Sequence, residues 1–438
     1  MSTIPGSDLE RQFPAGTESD VRVNDGNDGG VTKIRNWRVI HACEYARDVL
    51  PVVEGQVMAG MRPYIVTPQG AGSAELYLSK KDQEQRPVLS LLRAWHDVRN
   101  WRKSLLECDP ETTADVVHAH SFAAGMTAVR GFPCVVYDLC ACIEDWAIAS
   151  GQCDHGSWMG RSFRVAEQFV LSRAQAVVVH SPGMKRAVAE RGAPHEAVFV
   201  IPEPLDFEPE IPKLTGSFFA EELKIPPGAT SYFVPQFANE KDEALPAPAL
   251  AVLEAFALIV AEVPTAMLLL GASGSCAALL KPHLERLGIG DRVVHVEDDL
   301  ATDATRYADV VVAIAQPSAD DGIQQPNRVF LEGLRLGKAL LAADVPSNRE
   351  VSPEGRGCLW FSPGDVRDLS HRMAFLGSNP DFRSALAASG KAWILETRNI
   401  AAVGKKYDAA YRFALNRKKA RNGGPGMTSL QPIVSVSW

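Results

Sequence analysis

The sequence predicts an α/β protein built from two doubly wound domains, and three observations carry that expectation. Short apolar strands alternate with helical stretches twice over, from Trp37 to Pro204 and again from Ser231 to Asp344, as in the βαβ units of parallel sheets. Between the two series lies EPLDFEPEIPK, residues 203–213, whose prolines and acids mark a linker. The length of 438 residues exceeds what one hydrophobic core commonly supports.

In the first series WRVIHAC (37–43) reads as a buried strand, VVEGQVMAGM (52–61) as a helix and PYIVTP (63–68) as a strand. Within 88–107, Leu91, Leu92, Trp95, Val98 and Leu105 share one side while Arg93, Arg99, Arg102 and Lys103 crowd another. Such a helix either covers a sheet with a solvated basic face or lies on an anionic membrane surface. DVVHAHS (115–121), FPCVVYD (132–138), QAVVVHS (175–181) and AVFVIPEP (197–204) follow as strands, with a helix from Arg161 before the third. Parallel sheets hold ligands at the carboxyl ends of their strands. His118, His120, Asp138, His180 and Ser181 all lie at or just past such ends.

The second series runs SYFVPQF, a helix from Pro246 to Val263, TAMLLLG, a helix from Ala277 to Leu287, RVVHV and ADVVVAIA. It reaches DGIQQPNRVFLEGLRLGKALLAAD, residues 321–344. Pro326 suits a first helical turn and Gly337 a left-handed C-cap, so a helix is expected from Asn327 to Leu336 with a strand after it. A helix start facing a polar loop favours an anion, phosphate above all. Glu332 lies over a turn deeper and either accepts from sugar hydroxyls or is simply solvated. From Pro363 to Ala420 the chain reads as mostly helical.

The formal net charge of −8 argues against nucleic-acid binding through overall charge. No basic and then apolar leader opens the chain, and the longest apolar candidate, Ala249 to Gly271, is broken by Glu254, Glu262 and Pro264. Eight cysteines without paired CxxC spacing point to a reduced, cytoplasmic protein. Cys140, Cys142, Cys153 and His155 match no strong metal motif. No GxGxxG follows the first strand, which argues against a dinucleotide-dependent oxidoreductase or epimerase.

Taken in order, DVVHAHSFAAG, FPCVVYDLCA, RAQAVVVHSPGMKRAVAERGAPHEAVFVIPEPLD, TAMLLLGASG, ADVVVAIAQPS, PNRVFLEGLRLGKALLAADVPSNREV and GCLWFSPGDVRDLS resemble the retaining glycosyltransferases of family four, which have the GT-B fold. The resemblance spans about residues 37–415. It implies two Rossmann-like domains facing across a cleft: a disordered arm over 1–33, an acceptor domain over 34–205, a linker over 206–213 and a nucleotide-sugar domain over 214–395. A C-terminal helix over 396–420 would pack back on the first domain, with a disordered tail over 421–438.

The implied activity is transfer of a hexose, with retention, from a nucleotide sugar to a glycan, lipid-linked or small-molecule acceptor, as in polysaccharide biosynthesis. No cofactor and no metal are implied, because the leaving diphosphate is neutralised by cationic side chains and helix starts. The implied partners are the donor and the acceptor, with peripheral contact at the inner face of a membrane through 88–107, a homologous partner protein, and no nucleic acid. By the same resemblance Lys241, Gln324, Cys140 and His118 take catalytic positions. Glu332, Asn327, Arg328, Val329, Gly271 and Gln236 line the donor, and Glu44, Arg47, His120 and Asp138 line the acceptor side. Three of these positions differ in type from the family pattern: Gln324 stands for the first glutamate of a pair spaced eight apart, Gln236 for an arginine, and Cys140 for a histidine. The Gly-Gly loop usual after the first strand is CEYARDVLPVV here. Arg328 or Arg47 can supply the missing charge. The alternative is a catalytically impaired pseudo-glycosyltransferase that acts as a binding or regulatory partner.

Overall fold

The computed structural model describes residues 37–43, 49–58, 61–67, 70–73, 101–106, 108, 114–149, 152–205, 216–238, 244–272, 277–314 and 328–421. The arm over 1–33, the linker over 206–213, residues 88–100 and the tail from 422 lie outside them, as do Glu44, Arg47, Lys241, Gln324 and Asn327.

The first half contains β1 (Arg38–Ala42), α1 (Leu50–Met58), β2 (Arg62–Thr67), β3 (Gly70–Ser73), β4 (Val116–Ala119), α2 (Phe122–Gly131), β5 (Val135–Leu139), α3 (Ile143–Ala149), α4 (Trp158–Arg173), β6 (Ala176–Val179), α5 (Pro182–Glu190) and β7 (Val198–Val200). The second half contains α6 (Gly216–Glu222), β8 (Thr230–Ala238), α7 (Ala247–Ile259), β9 (Ala266–Ala272), α8 (Ala277–Leu287), β10 (Val293–Val296), α9 (Ala301–Tyr307), β11 (Val310–Ala313), α10 (Arg328–Arg335), β12 (Ala339–Ala343), α11 (Pro346–Val351), β13 (Cys358–Phe361), α12 (Val366–Ser378) and α13 (Pro380–Arg398). The helix α14 (Ile400–Arg421) closes the described chain.

Seven strands form the first sheet in the order β3-β2-β1-β4-β5-β6-β7, and six form the second in the order β10-β9-β8-β11-β12-β13. Every pair is parallel except β2 with β3. The strand order reverses between β1 and β4 and again between β8 and β11, and at such reversals the loops diverge to leave room for a ligand. The antiparallel edge strand GAGS was not expected, since it carries no large apolar residue. Backbone pairing with β2 alone makes it a strand.

Boundaries shift where caps decide them. The helix expected from Arg161 starts at Trp158, because Ser157 accepts the amide of Gly160 at 3.1 Å. α7 stops at Ile259 rather than Val263. The Val263 amide closes a turn onto Ile259 at 2.8 Å just before Pro264, and a residue ahead of proline leaves the helical region. α10 ends as expected at Gly337, with φ +67°. Lys338 donates to the carbonyl of Gly333 and Gly337 to that of Leu334, a Schellman cap.

Both faces of each sheet are covered. Alternate residues of the first sheet bury against α2 and α4 on one side, through Val117, Ala119, Val135, Tyr137, Val177 and Val179. On the other side Val39, Val116, Val136, Ala176 and Val178 meet Val403, Tyr407, Ala410, Tyr411 and Ala414 of α14. The chain therefore returns from the second sheet to cover the first. Asn399 makes this possible by breaking α13 from α14: its backbone is extended, and its side chain accepts the Ala402 amide at 2.8 Å. At the same crossing Leu205 donates to the Arg398 carbonyl at 3.0 Å.

Residues 101–106 are helical, with Trp101 and Leu105 in the core and Arg102 and Lys103 outside. This part of the basic segment thus spends its apolar face on the core. Among the described residues no helix is long and apolar enough to cross a membrane.

Candidate active site

Strand register assembles a polar cluster at the carboxyl edge of the first sheet. His41 of β1 pairs with His118 of β4, His118 pairs with Val136 of β5, and Asp138 pairs with Val178 of β6. Side chains two apart on a strand share a face. His41, His118, Asp138 and His180 therefore all point to the α14 side, continuing the apolar rows that begin at Val39, Val116, Val136 and Ala176. Those rows are apolar along the strands and polar only at their ends.

The cluster forms one chain of contacts. His120 Nε2 lies 2.9 Å from His41 Nδ1, and His41 Nε2 lies 2.8 Å from Gln56 Oε1. Gln56 Nε2 donates to the Tyr411 hydroxyl at 2.7 Å, which lies 2.7 Å from His118 Nδ1. Tyr407 donates to Asp138 Oδ2 at 2.9 Å. His118 Nε2 approaches Oδ2 at 3.2 Å and His180 Nε2 approaches Oδ1 at 3.0 Å. These two approaches are close but off the hydrogen-bond line, so His118 Nε2 and Asp138 Oδ1 lack an in-line partner. His180 Nδ1 lies 2.9 Å from the carbonyl of Ile201, which fixes a proton on that nitrogen.

One proton assignment serves the chain: His120 donates to His41, His41 to Gln56, Gln56 to Tyr411 and Tyr411 to His118, with Asp138 as the terminal anion. Burial alone would raise the Asp138 carboxyl, but the His180 charge and the contacts with His118 and His180 reverse this and hold it well below the usual carboxylate range. Burial likewise works against His180, and Asp138 overcomes it and holds the imidazolium well above its usual value. Burial, reinforced by the neighbouring His118 imidazole, lowers His41 to about 3 and His120 well below its ordinary value, so both stay neutral. The His120 side chain is 13% exposed and forms the mouth of the cluster. Cys140 is exposed just past β5, with its sulfur 3.9 Å from His180 Nε2.

A second buried carboxyl lies on the opposite face of the same sheet. Glu167 of α4 accepts the Ile143 amide at 3.1 Å, and burial pushes it up to about 7 against that bond and the nearby Arg191.

Of the residues expected on the donor side, Gln236, Gly271, Arg328, Val329 and Glu332 are described, and they lie in the second half. Gln236 lies near the end of β8, where the pairing with β9 shifts register between Val234 and Ala238. Gly271 belongs to that irregularity: a Cβ there would sit 2.3 Å from the Pro235 carbonyl oxygen, so the strand pair itself requires glycine. Arg328 opens α10. Val329 is buried in the core beside Phe330 and Leu331. Glu332 is engaged by Arg335 through both oxygens, at 2.8 and 2.6 Å. Its side chain is 33% exposed and keeps lone pairs for further donors.

Strand-end position was enough to pick out His118, His120, Asp138 and His180, and the structure brings them together. His41, Gln56, Tyr407 and Tyr411 were missed. The first shares the strand alternation of His118, and the two tyrosines are spaced i, i+4 on one helical stripe with Val403 and Ala414. Gln56 carries no such signal.

Residues 45–204 match the family described as Glycosyl transferase 4-like domain. No curated protein matches the chain. Among solved structures it is similar to a glycosyltransferase from Rickettsia africae, at 15% identity and TM-score 0.62, covering 87% of this chain and 99% of that one. It is similar to Anabaena Alr3699/HepE, solved with UDP and glucose, at 14% identity and TM-score 0.59, covering 86% and 100%. It also resembles a putative UDP-N-acetylglucosamine 2-epimerase from Listeria monocytogenes, at 15% identity and TM-score 0.55, covering 86% and 96%. Residues 45–204 thus carry a glycosyl transferase 4-like domain, and the two-sheet architecture throughout is the GT-B fold.

Proposed function

We propose that the protein transfers a hexose, with retention, from a nucleotide sugar to a glycan, lipid-linked or small-molecule acceptor, and needs no metal at the diphosphate. One observation carries this reading: each sheet has a strand-order reversal, and the sequence places polar residues after the strands that flank each one. Gln236 lies near the end of β8 with Lys241 beyond it in sequence, and Gln324, Asn327 and Arg328 come after β11. His41 and His118 end β1 and β4, with His120 just beyond. Two half-sites suit a reaction with two substrates. UDP is the first nucleotide to try, because the Anabaena protein was solved with it.

In this reading Lys241 and the start of α10 neutralise charge that grows on the diphosphate as the sugar bond breaks. Glu332 accepts the ribose hydroxyls and Gln324 a sugar hydroxyl. His120, at the mouth of the buried cluster, meets the acceptor. Calorimetry against UDP, GDP and ADP, followed by nucleotide release from the matching sugar donor over an acceptor panel, tests it. Failure to bind any nucleotide would overturn it. Conversion of the donor without acceptor would indicate epimerisation instead.

A second reading, a nucleotide-binding partner with impaired turnover, draws on the engagement of Glu332 by Arg335 and on neutral Gln236 in an arginine position. A missing charge-assisted bond at a desolvated phosphate costs about 1.5–3 kcal/mol. Tight nucleotide binding with no turnover on any acceptor would favour it.

A further inference from the structure

We propose that His41, His118 and His120, with Asp138 as fourth donor, bind one zinc-class divalent cation at the reversal between β1 and β4. The ligand atoms of the three imidazoles all lie within 4.8 Å of one another. His41 Nδ1 is 2.9 Å from His120 Nε2, and Asp138 Oδ2 is 3.2 Å from His118 Nε2 and 3.7 Å from His120 Nδ1. A tetrahedral ion with bonds of about 2.0–2.1 Å to nitrogen and oxygen spaces its ligands about 3.3 Å apart, inside the range of these contacts.

Three further features fit a cation. His118 Nε2 is fully buried, lacks an in-line hydrogen-bond partner and lies beside the Asp138 carboxylate. The outward nitrogens of two imidazoles are pinned, His41 Nε2 on Gln56 Oε1 and His118 Nδ1 on Tyr411, as second contacts orient metal-bound histidines. Imidazole nitrogens with one carboxylate suit zinc, cobalt or nickel rather than magnesium. His120, partly exposed, provides the way in.

Binding through His41 Nδ1 and through Nε2 of His118 and His120 needs no net loss of a proton: His41 keeps its proton on Nε2, and His118 and His120 take the tautomer with the proton on Nδ1. The site lies on the first sheet and uses none of the residues proposed to hold the phosphate, so it stands whether or not sugar transfer does.

The test uses the untagged full-length chain, stripped by a chelator and titrated with Co2+ and then Zn2+. Expected are the visible absorption of tetrahedral cobalt saturating at one equivalent, displacement by zinc, and a zinc-dependent rise in thermal midpoint. His120→Gln, at the partly exposed mouth of the cluster, should weaken uptake about tenfold or more, and His155→Gln, an exposed histidine of the loop before α4, should leave it unchanged. Absence of stoichiometric uptake, or uptake that survives His120→Gln undiminished, would overturn the proposal. In that event the histidines serve only as the hydrogen-bonded chain described above.

Discussion

The reversal points of the two sheets are built in opposite ways. In the first, polar side chains sit on the strands themselves, are buried, and are closed over by a helix from the far end of the chain: Asp138 alone meets His118, His180 and Tyr407. In the second, β11 is apolar to its end as VVVA, Gln236 is the polar residue near the end of β8, and Glu332 lies on the partly exposed side of α10. A buried polar group must be paired where it stands, so the first half-site is bound up with folding. Residues at loop and helix ends contribute little to stability and are left to a ligand.

The largest test of this contrast is Asp138→Asn. Removing one partner of a buried ion pair costs about 3–5 kcal/mol, and urea unfolding at pH 7 should show a loss of that order. The pair's stabilisation fades below the usual carboxylate range, as Asp138 is protonated at its depressed value. It also fades at high pH, as His180 loses its proton above its raised value. An unchanged midpoint would break the comparison.

Next comes Glu167, a buried carboxyl without a cation bonded to it. Its folded value of about 7 exceeds the ordinary 4.5, so its own contribution to stability is fully present below 4.5 and falls by about 3 kcal/mol as pH rises to 7. Glu167→Gln keeps an acceptor for the Ile143 amide and should flatten this slope and stabilise the protein at neutral pH. Denaturation curves at pH 5 and pH 7.5 read it directly.

Tyr411→Phe should cost about 1–3 kcal/mol, because it leaves Gln56 Nε2 and His118 Nδ1 without their shared partner. The smallest effect on stability belongs to the other half-site. Glu332→Ala removes a partly exposed pair with Arg335 and should cost about 0.5 kcal/mol, while calorimetry should show nucleotide affinity falling about tenfold through a lost hydrogen-bond acceptor. A large stability loss with unchanged affinity would reverse the contrast between the two sheets.

Much of the fold was legible. The helix and strand from Arg328 to Ala343 follow from Gly337 and from an apolar run. Where expectation slipped, a local competitor won: Ser157 extended α4 backward, the turn before Pro264 shortened α7, and backbone pairing alone made GAGS a strand. Gly271 carries a different lesson. Its glycine meets a packing demand at the Pro235 carbonyl, which a motif cannot separate from a demand for ligand approach.

The sequence by itself determined the alternation of elements, the division into two halves, and the strand ends where chemistry would collect, because periodicity and proline and glycine placement act locally. Tertiary structure alone decided that Tyr407 and Tyr411 reach Asp138 and His118 from nearly three hundred residues away, 269 and 293 positions respectively. Register between parallel strands and the return of a helix across both domains set those contacts, and neither leaves a mark within any short stretch of chain. The same register turned histidines that look like separate strand ends into one buried cluster.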